Sequence, residues 1–350
     1  MGSSFTRVHI WDGWRGLAIL FVLVGHFSHS QWIWEERMGV DVFFVLSGML
    51  MSNILFHKKI SLKDFYIRRF SRVMPALCLC LFCAYSLAFM ASLDFKIIEL
   101  FSSLFFLRAY YPIEPSITVT TVPVSHLWSL NVEEHAYLIM SLLVLIAKSR
   151  RRVMFVLFSI YAASVAICFH NYFFMSAEDF KLSLFRTETT VGFIMFSGGY
   201  YLLKQSYNIN LGRYASGICL LTASLTYLDV APIWLTFLFS PVLLGVAVNH
   251  LTESAKGLEP LLLSWALRKL GIISFSVYLA QQVFYMYSYK IPGGELTGFI
   301  ASILVGASSF YFVENPARRY INNRWSLNPV YKAESGELLK QKLLERYIER

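Results

Sequence analysis

An arginine and a histidine lie inside one long apolar segment near the start of the chain. The segment DGWRGLAILFVLVGHFSHS contains Arg15 and His26. On a helix, this separation places the two side chains about 16 Å apart and nearly in line along one face. An ionisable side chain deep in a hydrocarbon core is costly, and its default interpretation is functional. The pair therefore predicts proton-transfer chemistry at His26; the alternative is a histidine that only hydrogen-bonds a neighbouring helix.

A carboxylate follows at the start of the next apolar segment. Asp41 lies in GVDVFFVLSGM, and we expect it close to the level that His26 reaches. A carboxylate that is hydrogen-bonded to an imidazole fixes the tautomer of the ring and raises its basicity, as in general bases. Asp41 is therefore a candidate partner of His26; the alternative is a carboxylate that caps the second helix.

Three arginines cluster in the segment FYIRRFSRVMP. Arg68 and Arg72 have the spacing that shares one helix face, and Arg69 is adjacent. The planar guanidinium group suits bidentate contacts to phosphate, and several together suit a nucleotide such as coenzyme A. The alternative is a basic loop that anchors to lipid phosphates on the cytoplasmic side.

The segment HLWSLNVEEHAYL supplies a further polar group, which we expect at the outer entrance of a helix. Glu133 and Tyr137 lie on one helical stripe, so the carboxylate and the phenol point the same way. Glu134 points about 100° away from Glu133. We therefore expect one carboxylate to face the helix bundle and the other to reach the lipid headgroups. His126 lies at the same entrance.

Membrane-spanning helices must position these groups. Of the 350 residues, 56% are hydrophobic and only 15% are charged, and the mean hydropathy is +0.53. The apolar segments are about 20 residues long, the length that crosses a bilayer as a helix. The sequence predicts an all-α bundle of ten transmembrane helices, at residues 13–32, 39–56, 73–93, 126–147, 153–173, 187–203, 212–228, 233–251, 270–290 and 296–313.

Basic loops predict the orientation of this bundle. The net charge is +9, and basic residues recur in every second loop, for example in HKKISLKDFYIRRFSR and KSRRR. The positive-inside rule then places both termini in the cytoplasm. Residues 97–124 hold a short apolar run and several prolines, so we expect an interfacial or re-entrant excursion on the outer face. Residues 336–350 have helical spacing and predict a short amphipathic helix.

Other kinds of chemistry are not indicated by the sequence. The five cysteines are an odd number without redox or zinc spacing, so we predict no metal site. The basic charge is explained by topology and does not imply a nucleic acid partner. The start of the chain lacks the pattern of a cleaved signal peptide.

Seven motifs occur in a recognisable order. They are DGWRGLAIL, GH at His26, GVDVFFVLSG, FYIRRFSRVMPA, HLWSLNVEE, LGIISFSVYL and VENPARR. Over residues 11–319 the chain resembles the membrane-bound acyltransferase family 3, the bacterial O-acetylases of surface polysaccharides and peptidoglycan, and it resembles the stand-alone members. The resemblance implies transfer of an acyl group, usually acetyl, from coenzyme A to a sugar hydroxyl in a bundle of about ten helices. It implies roles for Arg15, His26, Arg68 and Arg72.

The chain departs from the family pattern at two positions. Family members commonly carry a histidine after the SxYL motif of the ninth span, where this chain has Gln281. A role assigned to that histidine cannot be carried over. The residue after the paired glutamates is usually glutamine, and here it is His135. This histidine is either a second titrating group or an isostere.

The residues and the resemblance together predict a mechanism. Acyl-CoA is expected as a co-substrate from the cytoplasm, with no permanently bound cofactor and with its phosphates on Arg68, Arg69 and Arg72. His26, held by Asp41 or Glu133, removes the proton of the acceptor hydroxyl or is itself acylated. Arg15 either stabilises developing negative charge or holds the CoA entrance. The acceptor sugar is expected at Glu134, Tyr137 and Trp128.

The predicted organisation is a membrane acyltransferase domain at 1–320 and a cytoplasmic tail at 321–350, in the bacterial cytoplasmic (inner) membrane. The expected partners are an acyl-CoA donor, a carbohydrate acceptor and the lipid bilayer. Two alternatives remain at this stage. One is a small-molecule acceptor in place of a glycan. The other is a proton-coupled transporter, for which inverted repeats or broken helices would be expected, and neither is clear in the sequence.

Overall fold

The computed structural model describes residues 2–28, 34–113, 117, 120–253 and 255–325. Within these residues every regular element is a helix, so the predicted all-α class is confirmed. The α-helices are α1 (Gly2–Ser28), α2 (Glu35–Ser52), α3 (Leu62–Met90), α4 (Ile97–Leu104), α5 (Trp128–Ile146), α6 (Arg150–Phe174), α7 (Ala177–Ser183), α8 (Thr187–Thr190), α9 (Gly192–Tyr207), α10 (Ala215–Thr226), α11 (Ile233–Asn249), α12 (Ala255–Leu262), α13 (Trp265–Met286), α14 (Gly294–Ser309) and α15 (Asn315–Trp325). Two π-helical turns (Asn53–His57 and Phe310–Glu314) and two 3-10 turns (Ser125–Leu127 and Ser288–Lys290) accompany them.

Six helical segments of the described residues are long and apolar enough to cross a bilayer. They are His9–Ser28, Glu35–His57, Leu62–Met90, Ser125–Ile146, Arg150–Phe174 and Gly294–Trp325. Two shorter apolar helices, α10 and α11, accompany them. The chain is therefore a membrane protein by helix length and composition, while the count of ten spans and the cytoplasmic location of both ends stay predictions.

Two stretches expected outside the spans are helical. Helix α2 begins at Glu35, so most of the predicted turn IWEERM belongs to the helix. Helix α3 begins at Leu62 instead of residue 73, because Ser61 caps it: the Ser61 Oγ accepts a hydrogen bond from the backbone N–H of Asp64 at 3.1 Å. The arginine cluster therefore lies on α3, as its spacing predicted.

Glycines permit close packing of α1 against α13 and of α2 against α9. A Cβ atom at Gly271 would lie 1.7 Å from the carbonyl oxygen of Asp12, and one at Gly16 would lie 2.0 Å from that of Leu267. A Cβ at Gly48 would lie 2.1 Å from the carbonyl oxygen of Ile194. Only glycine permits these backbone approaches, which join α1 to α13 and α2 to α9.

The described residues of the segment 97–124, which are 97–113, 117 and 120–124, do not form a spanning helix. Its helix α4 has 8 residues, and the ion pair between Glu99 and Arg108, at 3.3 Å with both side chains fully buried, holds the turn that follows. The Tyr110 hydroxyl donates to Glu188 at 2.6 Å and accepts from the backbone N–H of Thr187 at 2.9 Å. Burial and the adjacent Glu188 raise the pKa of Tyr110 to about 12. The excursion is thus joined to α8, which agrees with its predicted non-spanning character.

The last described helix returns to the start of α3. The Ser71 Oγ donates a hydrogen bond to the Asn322 Oδ1 at 2.9 Å, so α15 packs along the arginine-bearing turns of α3. The predicted amphipathic helix at 336–350 lies outside the described residues. The docking of α15 therefore brings the VENPARR motif to the arginine cluster.

Candidate active site

Two cavities lie side by side and share Val40 and Tyr278 in their linings. The first, the arginine cavity, has a volume of about 100 Å³, and its polar lining consists of Arg15, Ser47, Arg69, Arg72, Ser129, Glu133, Tyr137, Ser274 and Tyr278. The second, the histidine cavity, has a volume of about 360 Å³, and its polar and aromatic lining consists of His26, Trp34, Glu36, Arg37, Thr120, Ser125, His126, Trp128, Phe185, Tyr278, Gln282 and Tyr285.

The pair in α1 is divided between these cavities. Arg15 lines the arginine cavity, and its Nη1 is 2.9 Å from the Asp12 Oδ1. His26 lines the histidine cavity, with its ring centroid 4.5 Å from that of Tyr285. The buried Nδ1 of His26 faces the carbonyl of Val22 without a hydrogen bond of good geometry. Arg15 and His26 both face α13, as the spacing predicted, but their axial separation places them in adjoining cavities.

Asp41 does not hold His26, contrary to expectation. Both oxygens of its fully buried carboxylate accept from the Arg37 Nε at 3.0 Å, and one also accepts from the Tyr227 hydroxyl at 2.9 Å. The physical reason is the early start of α2, which places Arg37 one turn before Asp41. Arg37 and Asp41 are four residues apart, a spacing that predicts an ion pair on a helix. It does not predict one if Arg37 lies in a turn, as the sequence suggested.

Arg37 is itself fixed from several sides. Its Nη1 donates to the Leu184 carbonyl at 2.9 Å, and its Nη2 donates to the Thr190 Oγ1 at 3.1 Å. Its guanidinium carbon lies 4.8 Å from the ring centroid of Phe237 and 5.0 Å from that of Trp128. Arg37 and Asp41 thus link α2 to α5, α11, the region of α7 and α8 and the end of α10, and Arg37 lines the histidine cavity.

Glu133 also has partners other than His26. It accepts from the Ser47 Oγ at 2.5 Å and from the Tyr137 hydroxyl, and its Oε2 is 2.8 Å from the Arg69 Nη2. The predicted stripe of Glu133 and Tyr137 is therefore confirmed. The Glu134 Oε1 is 2.5 Å from the Arg69 Nε. The expectation that one of the two glutamates reaches the headgroups is wrong, because both bind Arg69.

Arg69 bridges α3 and α5. Its side chain is 11% exposed, and its guanidinium carbon lies 4.3 Å from the ring centroid of Tyr137. Together with the two glutamates it forms a largely buried charged group that joins the two helices. Arg69 was predicted to bind the donor phosphates, but the structure engages its guanidinium with two carboxylates.

The arginine cavity collects positive charge from α1 and α3, and an arginine of α15 lies near it. Arg72 of α3 lines it together with Arg15, whereas Arg68 lies outside its lining. Arg72 is also close enough to Arg318 of α15 for their charges to interact. Arg318 lies 3.9 Å from Glu314 and is 36% exposed. Such a cluster can bind an anion through charge-assisted hydrogen bonds.

The three residues predicted to bind an acceptor separate in the structure. Trp128 lines the histidine cavity, Tyr137 lines the arginine cavity, and Glu134 binds Arg69. His126 also lines the histidine cavity, although the sequence predicted no chemical role for it. Its only sequence signal was its position directly before an apolar helix. Tyr278 of the SxYL motif separates the two cavities and is a second residue without a predicted role.

The two departures from the family pattern have different surroundings. Gln281 is fully buried, and its Nε2 donates to the Gln282 Oε1 at 3.4 Å. Gln282 itself lines the histidine cavity. The His135 Nδ1 is 2.7 Å from the Thr187 Oγ1, and this histidine lines neither cavity. His135 is therefore not a second titrating group at His26.

The described residues contain no group of metal-binding side chains suited to hold an ion. All five cysteines are free. The two cavities thus contain a cluster of arginines, a histidine without a bound carboxylate among the described residues and a larger space with polar and aromatic walls.

Comparisons with known proteins agree with this chemistry. The acyltransferase domain model of acyltransferase family 3 matches residues 8–313. The O-acetyltransferase OatA of Staphylococcus aureus (strain NCTC 8325 / PS 47) is 30% identical over 145 residues, which are 38% of this chain and 24% of that protein. A Staphylococcus aureus (strain COL) protein, whose name proposes an O-acetyltransferase, is 29% identical over 178 residues, 46% of this chain and 29% of that protein.

The chain spans less than a third of the length of these curated relatives. No solved structure matches it significantly. The family model, however, covers the two cavities and nearly all of the helices that form them. On this basis the chain belongs to the membrane acyltransferase family 3.

Proposed function

We propose that this protein is an integral-membrane O-acyltransferase that moves an acyl group, most simply acetyl, from cytoplasmic acyl-CoA to a sugar hydroxyl of a cell-surface or exported glycan. The observation that carries the proposal is the pair of adjoining cavities, with Arg15 and Arg72 in one and His26 in the other. Family membership and the names of the relatives support O-acetyl transfer. The proposed location is the bacterial cytoplasmic membrane.

The donor is proposed to bind at the arginine cavity. Arg72 and Arg318 would hold phosphate groups of acyl-CoA, with Arg68 one helical turn before Arg72. Arg15 of α1 lines the same cavity as Arg72 and would hold the part of the donor that enters the bundle. Arg69 is left out of this role because Glu133 and Glu134 occupy its guanidinium. The charged nucleotide then stays on the cytoplasmic side, which avoids the cost of burying its phosphates in lipid.

The acyl group is proposed to pass to the acceptor beside His26. His26 takes the proton of the acceptor hydroxyl, and the oxygen attacks the thioester carbonyl carbon. The new C–O bond forms as the C–S bond breaks, and the departing thiolate takes the proton from His26. An acyl-histidine intermediate is the other route to the same products. In either route Asp41 and Glu133 stabilise the packing of the helices and do not hold the imidazole of His26.

The acceptor is proposed to occupy the histidine cavity. Its volume of about 360 Å³ is within the usual range of small-molecule sites, and Trp128 and Tyr285 supply aromatic walls. Tyr137 and Glu134 have no proposed contact with the acceptor, because Tyr137 binds Glu133 and Glu134 binds Arg69.

Sided membrane vesicles test this proposal. Acetyl-CoA labelled in the acetyl group is supplied to inside-out and to right-side-out vesicles that contain the protein, and labelled glycan is measured. We expect transfer only when the donor reaches the cytoplasmic face. His26→Gln keeps hydrogen bonding but cannot accept a proton at neutral pH, so transfer should fall by a factor of about 10²–10⁴.

The matched control is His135→Gln, which changes a histidine of α5 that lines neither cavity. Its transfer rate should stay close to that of the wild type. Undiminished transfer by His26→Gln would contradict the mechanism. Consumption of no acetyl-CoA, together with proton-dependent solute uptake, would instead identify a transporter.

A further inference from the structure

His126 lies in the 3-10 turn Ser125–Leu127, and this turn is bound firmly to α13. The backbone carbonyl of His126 accepts a hydrogen bond from the Tyr278 hydroxyl at 2.7 Å and from the Ser129 Oγ at 3.2 Å. The adjacent Ser125 Oγ accepts from the Gln282 Nε2 at 2.9 Å. The backbone at His126 is therefore fixed by hydrogen bonds that do not involve its ring.

The imidazole ring of His126, in contrast to the backbone, lacks hydrogen-bond partners among the described residues. The residue is 4% exposed, and both ring nitrogens are buried without a hydrogen-bond partner among the described residues. Leaving a buried polar group unsatisfied costs about 1–3 kcal/mol. Its ring packs edge-on against Tyr278, with the centroids 5.2 Å apart. Because the backbone at His126 is fixed and its ring nitrogens lack partners among the described residues, the ring is suited to hydrogen-bond a molecule that enters the histidine cavity.

The chemistry of the surrounding wall indicates which molecule would fit. Trp34, Trp128 and Tyr285 present aromatic surfaces to the cavity, while Gln282 and Glu36 add polar groups. Aromatic side chains with polar neighbours suit a ligand that is apolar on its faces and hydrogen-bonds at its edges. A pyranose ring has this character, because its C–H groups form the faces and its hydroxyls form the rim. His26 lies in the same cavity, so a ring placed there can contact both histidines.

We propose that His126 binds the acceptor through a hydroxyl neighbouring the one that His26 deprotonates, so that the cavity selects a polyhydroxylated ring over a simple alcohol. This inference rests on the proposed function. His126 takes no part in the transfer of the proton or the acyl group and is chemically unchanged at the end. It is a substrate-binding residue, and its contribution appears in acceptor affinity and selectivity.

The test uses full-length protein in liposomes, acetyl-CoA as donor, and a panel of methyl hexopyranosides with their monodeoxy derivatives as acceptors. Cyclohexanol serves as the simple alcohol, and water serves as the acceptor in acetyl-CoA hydrolysis. His126→Leu should raise the acceptor KM about tenfold and change the acetyl-CoA KM and the hydrolysis rate much less. His126→Gln, which keeps a donor and an acceptor, should recover part of the affinity. His135→Gln is the control.

Selectivity gives the sharper readout. At least one monodeoxy sugar should react more slowly than its parent with the wild type, and His126→Leu should remove that difference while reacting normally with cyclohexanol. A structural role would lower every rate together. Unchanged acceptor kinetics in His126→Leu, or a parallel loss of hydrolysis and transfer, would overturn the proposal.

A binding measurement separates this inference from the proposed function. Quenching of tryptophan fluorescence by the same sugars, without donor, reports on the histidine cavity because Trp34 and Trp128 line it. Weaker binding to His126→Leu than to the wild type supports the inference even if no acetyl-CoA is consumed, an outcome that would overturn only the proposed function. If none of the sugars binds the wild type, the inference is wrong.

Discussion

Arg69 in the arginine cavity and His126 in the histidine cavity both pack against a tyrosine ring, yet their polar groups are satisfied differently. In the arginine cavity, Arg69 is held by Glu133 and Glu134 at 2.8 and 2.5 Å. In the histidine cavity, His126 has two buried ring nitrogens without a partner among the described residues. Paired charges resist rearrangement because breaking the pair leaves a buried charge. The comparison teaches that a charged residue which stands out in the sequence can serve to hold helices together. A buried neutral side chain without hydrogen-bond partners is better placed to bind a ligand.

The largest expected effect comes from removing the central cation of the first cavity. Arg69→Met leaves Glu133 and Glu134 as uncompensated buried carboxylates, so we expect a loss of about 3–5 kcal/mol in the free energy of unfolding. Thermal unfolding in detergent and the yield of folded protein measure it.

The control for Arg69→Met is His126→Leu in the other cavity. It removes an unsatisfied polar ring, and its thermal midpoint should match or exceed that of the wild type. Adding Glu133→Gln and Glu134→Gln to Arg69→Met should restore part of the stability. Similar losses in Arg69→Met and His126→Leu would show that the two side chains do not differ in this way.

A smaller effect is expected at Arg72, in the cavity where we propose that the donor binds. Arg72→Ala should raise the acetyl-CoA KM roughly ten- to a hundredfold, because a charge-assisted contact contributes about 1.5–3 kcal/mol. Arg72→Lys keeps the charge but loses the planar fork and should recover only part of the affinity.

Steady-state kinetics with varied donor and varied acceptor measure the change, and the acceptor KM should stay constant. Arg324→Ala is the matched control, since Arg324 is an exposed arginine of α15. A reduced turnover with an unchanged donor KM in Arg72→Ala would mean that the cluster is a structural clamp.

The next variant tests the corrected role of Asp41. Asp41→Asn removes the charge that compensates Arg37 but keeps hydrogen-bonding capacity, so we expect a loss of about 1–3 kcal/mol in stability. Turnover per folded molecule and its pH profile should not change, because no contact joins Asp41 to His26 in the described structure. A shifted pH profile of kcat with full stability would restore Asp41 as the partner of the imidazole.

The smallest effect concerns a paired carboxylate away from both cavities. Burial alone would raise the pKa of Glu253, but hydrogen bonds from Lys204 and His250 hold the pKa below its ordinary value. The Lys204 Nζ is 2.6 Å from the Glu253 Oε1. The carboxylate therefore contributes stability at neutral pH that is lost as the pH falls through its lowered pKa, below the ordinary value of 4.5.

We expect the thermal midpoint of the wild type to fall more steeply between about pH 5 and pH 3 than that of Glu253→Gln. At pH 7 the variant should be slightly less stable than the wild type. Parallel pH curves for the two proteins would show that the Lys204 pair adds no pH-dependent stability.

Local periodicity explains what the sequence alone determined. Helix length and composition established an all-α membrane protein, and the helical repeat placed Arg15 and His26 on one face of α1. The same repeat aligned Glu133 with Tyr137, whose hydroxyl donates to that carboxylate. The order of the motifs established the family. These properties follow from residues within a few helical turns of one another, for which the geometry is nearly independent of the rest of the fold.

The tertiary structure decided which groups meet across helices. Asp41 binds Tyr227, a residue 186 positions away, and Arg69 of α3 joins both glutamates of α5. His126 is fixed by Tyr278, 152 positions later, and thereby reaches the cavity of His26. The helical repeat fixes the direction of a side chain around its own helix, but not which helix packs there or at what height. Those depend on close approaches such as Gly271 against Asp12, where many side chains from distant parts of the chain must fit at once.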